Sequence, residues 1–189
     1  QVFATVRTTA PRRIAIVGLG TGSLACYGQP NETWTFFEID PLVEHIARDT
    51  KFFTYMRDCA PAKRVVLGDA RLSLANGPAG AYDILVIDAF TSDAVPTHLI
   101  TREALELYLD KLGPNGVVAF HISNRYLDLE PVVAGIAASV GATALVGSDT
   151  YLSAEERGPF RSLSKWVAVS RSPAAIAPLR SARGWRELE

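Results

Sequence analysis

The amino-acid sequence predicts an α/β domain built on a doubly wound, mostly parallel sheet of seven strands. Three observations carry that prediction. Apolar runs rich in Val, Ile and Phe alternate with helical patterns, the runs are apolar throughout, and several stop abruptly at glycine or at a carboxylate. Alternating strand and helix is the signature of parallel strands joined by crossover helices. A continuous apolar run is what a strand needs when both faces of its sheet are covered. At 189 residues and 48% hydrophobic, residues 1–189 suit one domain with a full core.

The elements follow in order. The first strand is Arg13 to Val17 and ends at glycines. The second, Thr33 to Glu38, leads into a helix that opens on Pro41, a residue whose fixed φ suits the first helical position. Leu42, Val43, Ile46 and Ala47 give that helix one apolar face. Arg64 to Leu67 is the third strand, with a short helix from Ala70 to Ala75, and Asp83 to Ile87 is the fourth and central one. Thr101 is placed as the N-cap of a helix buried through Ala104, Leu105, Tyr108 and Leu109, and Gly113-Pro114-Asn115-Gly116 forms a turn. Val117 to Ile122 is the fifth strand, Glu130 to Val140 a helix, Thr143 to Val146 the sixth strand and Trp166 to Ser170 the seventh. The tail from Arg171 to Glu189 carries no motif.

Composition narrows the function. The net charge of -1 comes from 19 basic and 20 acidic side chains without a basic cluster, which argues against nucleic acid as a partner. Cys26 and Cys59 lie outside any C-x-x-C or His-rich spacing, so neither a disulfide framework nor a metal site is suggested and a reducing cytoplasm fits. No apolar run approaches the roughly 18 to 20 residues that cross a bilayer. The chain starts at Gln1 and its one methionine is Met56, which reads as excision from something longer.

Gly18, Gly20 and Gly22 directly follow the first strand, where the backbone must turn tightly and let a ligand approach without Cβ interference. A dinucleotide fingerprint wants G-x-G-x-x-G, but Ser23 stands where its third glycine falls, which favours a methionine-derived nucleoside over NAD. Glu38 lies 20 residues beyond Gly18, where an acid can accept both ribose hydroxyls; alone it is also an ordinary solvated strand-end acid. Asp69 ends the third strand, placed either to read the adenine amine, with the next N–H on a ring nitrogen, or simply to cap the following helix. Three successive strands that each end in a ligand-suited residue make the joint pattern.

Asp88 ends the fourth strand and Asp93 lies in the loop after it, both toward the crevice beyond the strands' carboxyl ends. A sulfonium is an activated electrophile, so the protein has mainly to orient a nucleophile and remove its proton, which a desolvated carboxylate can do. Two carboxylates would also hold a cationic amine. The alternative is a turn-capping Asp88 and a solvated Asp93. His121 at the fifth strand's end reads either as pocket lining or as a histidine bonded within the sheet rim, and His98 as loop packing. Phe52, Phe53, Tyr55 and Met56 read as core or lid packing.

The motifs Ile16-Val17-Gly18-Leu19-Gly20-Thr21-Gly22, Phe37-Glu38-Ile39-Asp40-Pro41, Gly68-Asp69-Ala70, Ile87-Asp88-Ala89-Phe90-Thr91-Ser92-Asp93 and His121-Ile122-Ser123-Asn124-Arg125-Tyr126 together resemble spermidine synthases. The likeness is strongest to the synthase-like domains fused to transporter-like membrane segments, and covers about residues 1 to 147. It implies the class I S-adenosylmethionine-methyltransferase, Rossmann-like fold, with a donor of S-adenosylmethionine or its decarboxylated form bound by Gly18, Gly20, Thr21, Gly22, Glu38, Ile39, Asp69 and Ala70. It further implies catalysis by Asp88 and Asp93, no metal, a polyamine as the second ligand, a homodimer, and membrane segments in the parent chain. Two departures stand out: neutral Thr21 replaces the loop aspartate that in the synthases holds the donor's amine, and Asp88 and Asp93 are five apart where the synthases' acids are three apart. Three functions follow: aminopropyl transfer to a polyamine, methyl transfer from the same nucleoside pocket, or ligand sensing without turnover for an attached membrane protein.

Overall fold

The computed structural model describes residues 1–6, 11–59, 62–90, 95–124, 127–153, 155 and 163–188. Eight strands form one sheet: β1 (Arg13–Val17), β2 (Thr33–Glu38), β3 (Ala62–Leu67), β4 (Tyr82–Ile87), β5 (Leu112–His121), β6 (Thr143–Ser148), β7 (Lys165–Ser170) and β8 (Trp185–Glu187). Their spatial order is β3-β2-β1-β4-β5-β7-β6-β8. Pairings among β1 to β5 are parallel, whereas β7 joins β5, β6 joins β7 and β8 joins β6 antiparallel. The chain winds outward from β1 in one direction and resumes at β4 in the other. The carboxyl ends of β1 and β4 therefore flank the point where the winding reverses, which is where open α/β sheets form a ligand crevice.

Both faces of the sheet are covered, which is why its strands are continuously apolar. Ala15, Val17, Leu85, Ile87, Val118 and Phe120 belong to one core layer, and Ile14, Ile16, Ile84, Val86, Val117 and Ala119 to the other. The helix α5 (Arg102–Lys111) buries Ala104, Leu105, Tyr108 and Leu109, and the Thr101 hydroxyl accepts from the Ala104 N–H at 3.1 Å, as its sequence predicts. Across the first core layer α6 (Glu130–Ser139) buries Val133 and Ala137. Glu130 at its first turn ties three elements, meeting Lys165 of β7 at 2.6 Å and Arg186 of β8 at 2.5 Å. Burial pushes its carboxyl up, but the hydrogen bonds and charges of Lys165 and Arg186 outweigh that and hold it below the ordinary value.

Several details differ from the sequence reading. The seven predicted strands are joined by an eighth, β8, from the tail that showed no motif. Gly147 makes room for it, since a Cβ there would lie 2.4 Å from the Trp185 ring. The predicted turn Gly113 to Gly116 lies inside β5 as an irregularity: Tyr82 pairs with Leu112 but Ile84 with Val117. In α2 (Pro41–Arg48) Ala47 is buried but Leu42 is 59% exposed, so the apolar face narrows at the helix start.

Cys26 and Cys59 form a disulfide across 33 residues, contrary to the expectation drawn from their spacing. The bond joins the 3₁₀ turn Ser23–Tyr27 to the short helix α3 (Tyr55–Asp58), two segments that only the folded chain brings together. Disulfides persist in oxidising compartments, so these two cysteines do not support the reducing one that their spacing suggested. Among the described residues no helix is long and apolar enough to cross a membrane.

Candidate active site

Because β1 to β5 run parallel, Gly18, Glu38, Gly68-Asp69, Asp88 and His121 all emerge at one edge of the sheet. Gly18, Gly20 and Gly22 have φ of 98°, 51° and 82°, a region open to glycine and strained for other residues. At Gly18 the requirement is also steric: a Cβ would come within 2.3 Å of the Asp88 carbonyl oxygen, so the turn leaving β1 lies directly against the chain leaving β4. At Gly22 a Cβ would meet the Met56 side chain at 2.7 Å. Buried Met56 on α3 thus supports the glycine loop from beneath, and the disulfide holds α3 in that place. Phe52, beside it, is exposed, so the aromatic stretch is core at Met56 and surface at Phe52. A Cβ on Gly20 would meet nothing within 4 Å, which leaves that side of the loop open.

Glu38 is 8% exposed, and both of its oxygens are occupied by backbone donors. Leu19 N–H donates to Oε2 at 2.9 Å, and Asp40 N–H donates to Oε1 at 3.0 Å. The carboxylate therefore clips the glycine loop to the end of β2. Each oxygen retains a second lone pair for another donor. Ile39, the next residue, is 69% exposed, and Leu67 at the end of β3 is 48% exposed, a pair of uncovered apolar side chains flanking this edge. Gly68 N–H donates to the Glu38 carbonyl at 2.8 Å, which fixes the β3 end beside the β2 end.

Asp69 caps α4 (Ala70–Ala75), its Oδ1 accepting from the Leu72 N–H at 3.0 Å. The capping alternative therefore holds. It leaves the second carboxylate oxygen and the Ala70 N–H, a first-turn donor without a helical partner, at the same sheet edge. Thr21, partly buried between two glycines, carries no charge into the loop.

At the β4 end, Asp88 N–H donates to the Val17 carbonyl at 2.9 Å, and its side chain meets His121: Oδ1 to Nδ1 is 2.7 Å. His121 Nε2 lies 2.8 Å from Ser123 Oγ, which in turn accepts from the Lys165 N–H at 2.8 Å. The imidazole stacks on Trp166 at 4.4 Å and 6° and meets the edge of Phe90 at 4.9 Å. His121 is therefore bonded within the sheet rim, the second of its two sequence alternatives. His98 is exposed, and its carbonyl accepts from Arg71 at 2.7 Å. Asp93 lies outside the described residues. Sequence reasoning missed the Asp88–His121–Ser123 chain, which depends on strand register: Ile87 pairs with Phe120, so the next residues of the two parallel strands lie side by side.

The fold is that of class I S-adenosylmethionine methyltransferases, an architecture also found in solved spermidine synthases. No protein-family profile matches the chain. A curated polyamine aminopropyltransferase of Vibrio vulnificus is 35% identical over 113 residues, 57% of this chain and 36% of the relative, so the chain spans about a third of that protein's length. Among solved structures, a probable spermidine synthase from Corynebacterium glutamicum superposes with a TM-score of 0.69 at 17% identity, covering 99% of this chain and 73% of that one. Human methyltransferase-like protein 13, solved with SAH, gives 0.67 at 19% identity over 98% of this chain and 91% of its own.

Proposed function

We propose that this chain acts as a spermidine synthase-like transferase, taking S-adenosylmethionine or its decarboxylated form as donor and moving an aminopropyl group to a polyamine. The observation that carries the reading is that the glycine turn and Asp88 flank the winding reversal of the sheet, with Glu38 and Asp69 ending the two strands beyond at the same edge. The partial match to the Vibrio aminopropyltransferase supports it.

In this reading the nucleoside lies along the open side of Gly20, the ribose hydroxyls donate to the remaining lone pairs of Glu38, and Ile39 and Leu67 flank the base. Asp69 accepts from the adenine amine and the Ala70 N–H donates to a ring nitrogen. Thr21 sets no charge against the donor's amino group, so the loop suits either donor. Asp88, with Asp93, holds the cationic acceptor amine and removes its proton. The freed amine attacks the carbon beside the sulfonium, the C–S bond breaks with its electron pair passing to sulfur, and methylthioadenosine leaves. A homodimer and membrane segments in a parent chain belong to the same reading and rest on resemblance.

Methyl transfer is a second reading, favoured by neutral Thr21 and by the fold shared with human methyltransferase-like protein 13. Incubating the protein with putrescine and each donor separates the two. The first reading expects methylthioadenosine and an aminopropylated product, both lost in Asp88→Asn while nucleoside binding persists. S-adenosylhomocysteine as the nucleoside product would replace it with methyl transfer.

A further inference from the structure

The side chains at the β4 and β5 ends form a hydrogen-bonded chain whose donors all point one way. It starts in main chain, where the Lys165 N–H of β7 donates to Ser123 Oγ at 2.8 Å. Ile122 N–H also donates to the Lys165 carbonyl at 2.9 Å, so the β5 end is bonded to both main-chain groups of that residue. Ser123 Oγ lies 2.8 Å from His121 Nε2, and His121 Nδ1 lies 2.7 Å from Asp88 Oδ1. A carboxylate only accepts, so the proton of the neutral imidazole sits on Nδ1 and faces Asp88. Nε2 is then an acceptor, and the Ser123 hydroxyl donates its one proton to it. With the ring proton on Nε2 instead, the Nδ1 lone pair would oppose the carboxylate and the Ser123 hydroxyl would lose its acceptor.

The ring is fixed in its plane as well. It stacks at 4.4 Å and 6° on Trp166, its partner in the β5–β7 pairing, and lies edge-to-face with Phe90 at 4.9 Å. The Asp88 main chain is pinned by its own N–H, which donates to the Val17 carbonyl at 2.9 Å. Rotation of the carboxylate is the freedom that remains, and the bond from Nδ1 to Oδ1 removes it. Among the described residues His121 is the one side chain bonded to Asp88. Placement of a reacting group matters steeply, since an error of about 1 Å costs on the order of a hundredfold in rate.

We infer that His121, held as the neutral Nδ1–H tautomer, is a positioning residue that fixes Asp88 through Oδ1 and leaves Oδ2 to take the acceptor's proton. This rests on the transferase reading. The acceptor arrives as an ammonium, one N–H bond breaks, and its proton passes to Oδ2. The freed lone pair forms the C–N bond while the C–S bond breaks toward sulfur. Oδ2 gives its proton to water once the products have left. His121 gains and loses no proton in this sequence, and Ser123 acts through it by holding the tautomer.

Two substitutions and one spectrum test the inference. His121→Asn sets an amide N–H where Nδ1–H stands and cannot take up a proton, whereas His121→Leu keeps bulk without a donor. With the decarboxylated donor and putrescine, methylthioadenosine release should keep kcat within about fivefold in His121→Asn and lose at least about thirtyfold in His121→Leu. KM for the donor should stay within about twofold in both. Nitrogen-15 NMR of the wild-type chain, at a pH where free histidine is neutral, should show Nδ1 protonated and Nε2 bare. The spectrum and His121→Asn decide the matter if His121→Leu does not fold. Protonated Nε2, equal kcat in the two variants, or a rise in KM at constant kcat overturns the positioning role alone. A wild-type chain with the Nδ1–H tautomer that releases no methylthioadenosine overturns the transferase reading, and with it the role of Oδ2, while the hydrogen-bonded chain stands.

Discussion

Glu38 and Asp88 stand at the same sheet edge and are held in opposite ways. Glu38 is buried, with each oxygen fixed by a backbone N–H from the chain it must organise. Asp88 is held by one side chain, His121, which is positioned in turn by Ser123 and two aromatic rings. A backbone-fixed acid cannot exchange its partners without unfolding the loop, which suits rigid binding of an uncharged hydroxyl pair. An acid held by a side chain keeps its place without tying down the main chain around it. In the proposed reading the binding end of the site is built from main chain and the chemistry end from side chains.

The largest effect expected from attacking the main-chain end is at Gly18. In Gly18→Ala the new Cβ would lie 2.3 Å from the Asp88 carbonyl, at a φ of 98°. Strain and clash together should remove about 4 kcal/mol of stability, read by urea denaturation. A loss of under about 1 kcal/mol would mean that the β1 turn is not pressed against the β4 end.

The disulfide comes next, since it holds the α3 support under the loop. Closing 33 residues gives about 3 to 4 kcal/mol in the chain-entropy account. Cys26→Ser with Cys59→Ser, or treatment with a reductant, should lower the melting temperature and weaken nucleoside binding. An unchanged melting temperature would show that Met56 supports the loop unaided.

Glu38→Gln sharpens the contrast itself. Glutamine offers one oxygen where two backbone donors now bond, so a buried N–H is left unpaired at about 1 to 3 kcal/mol. Nucleoside affinity should fall at least tenfold by calorimetry, whereas Asp88→Asn should leave it nearly intact. Equal losses in both variants would erase the distinction between the two acids.

The smallest effect lies farthest from the crevice. Glu130 is held below its ordinary value in the folded chain, so its contribution is present above the usual carboxylate range and is lost as pH falls through the folded value. Wild type should be more stable than Glu130→Gln at neutral pH, and the two should converge in acid denaturation curves. A difference independent of pH would place its role in packing.

Much of this architecture was legible in the residues. Strand ends at Val17, Glu38, Leu67 and Ile87 follow from apolar runs broken by glycine or acid, and the α5 cap and stripe follow from helical spacing. What escaped depends on tertiary proximity or on very short elements. The Cys26–Cys59 pair carries no local pattern, and β8 is three residues long, too short to show a period. The Asp88–His121 contact needs the register of β4 against β5, which becomes predictable only once both strand ends are fixed.

Titration calorimetry of the purified chain with S-adenosylmethionine, its decarboxylated analogue and NAD tests the nucleoside site most directly. Binding of one or both sulfonium nucleosides, abolished in Glu38→Gln and absent for NAD, is the expected result. Tight binding of NAD with no heat from either sulfonium compound would contradict it.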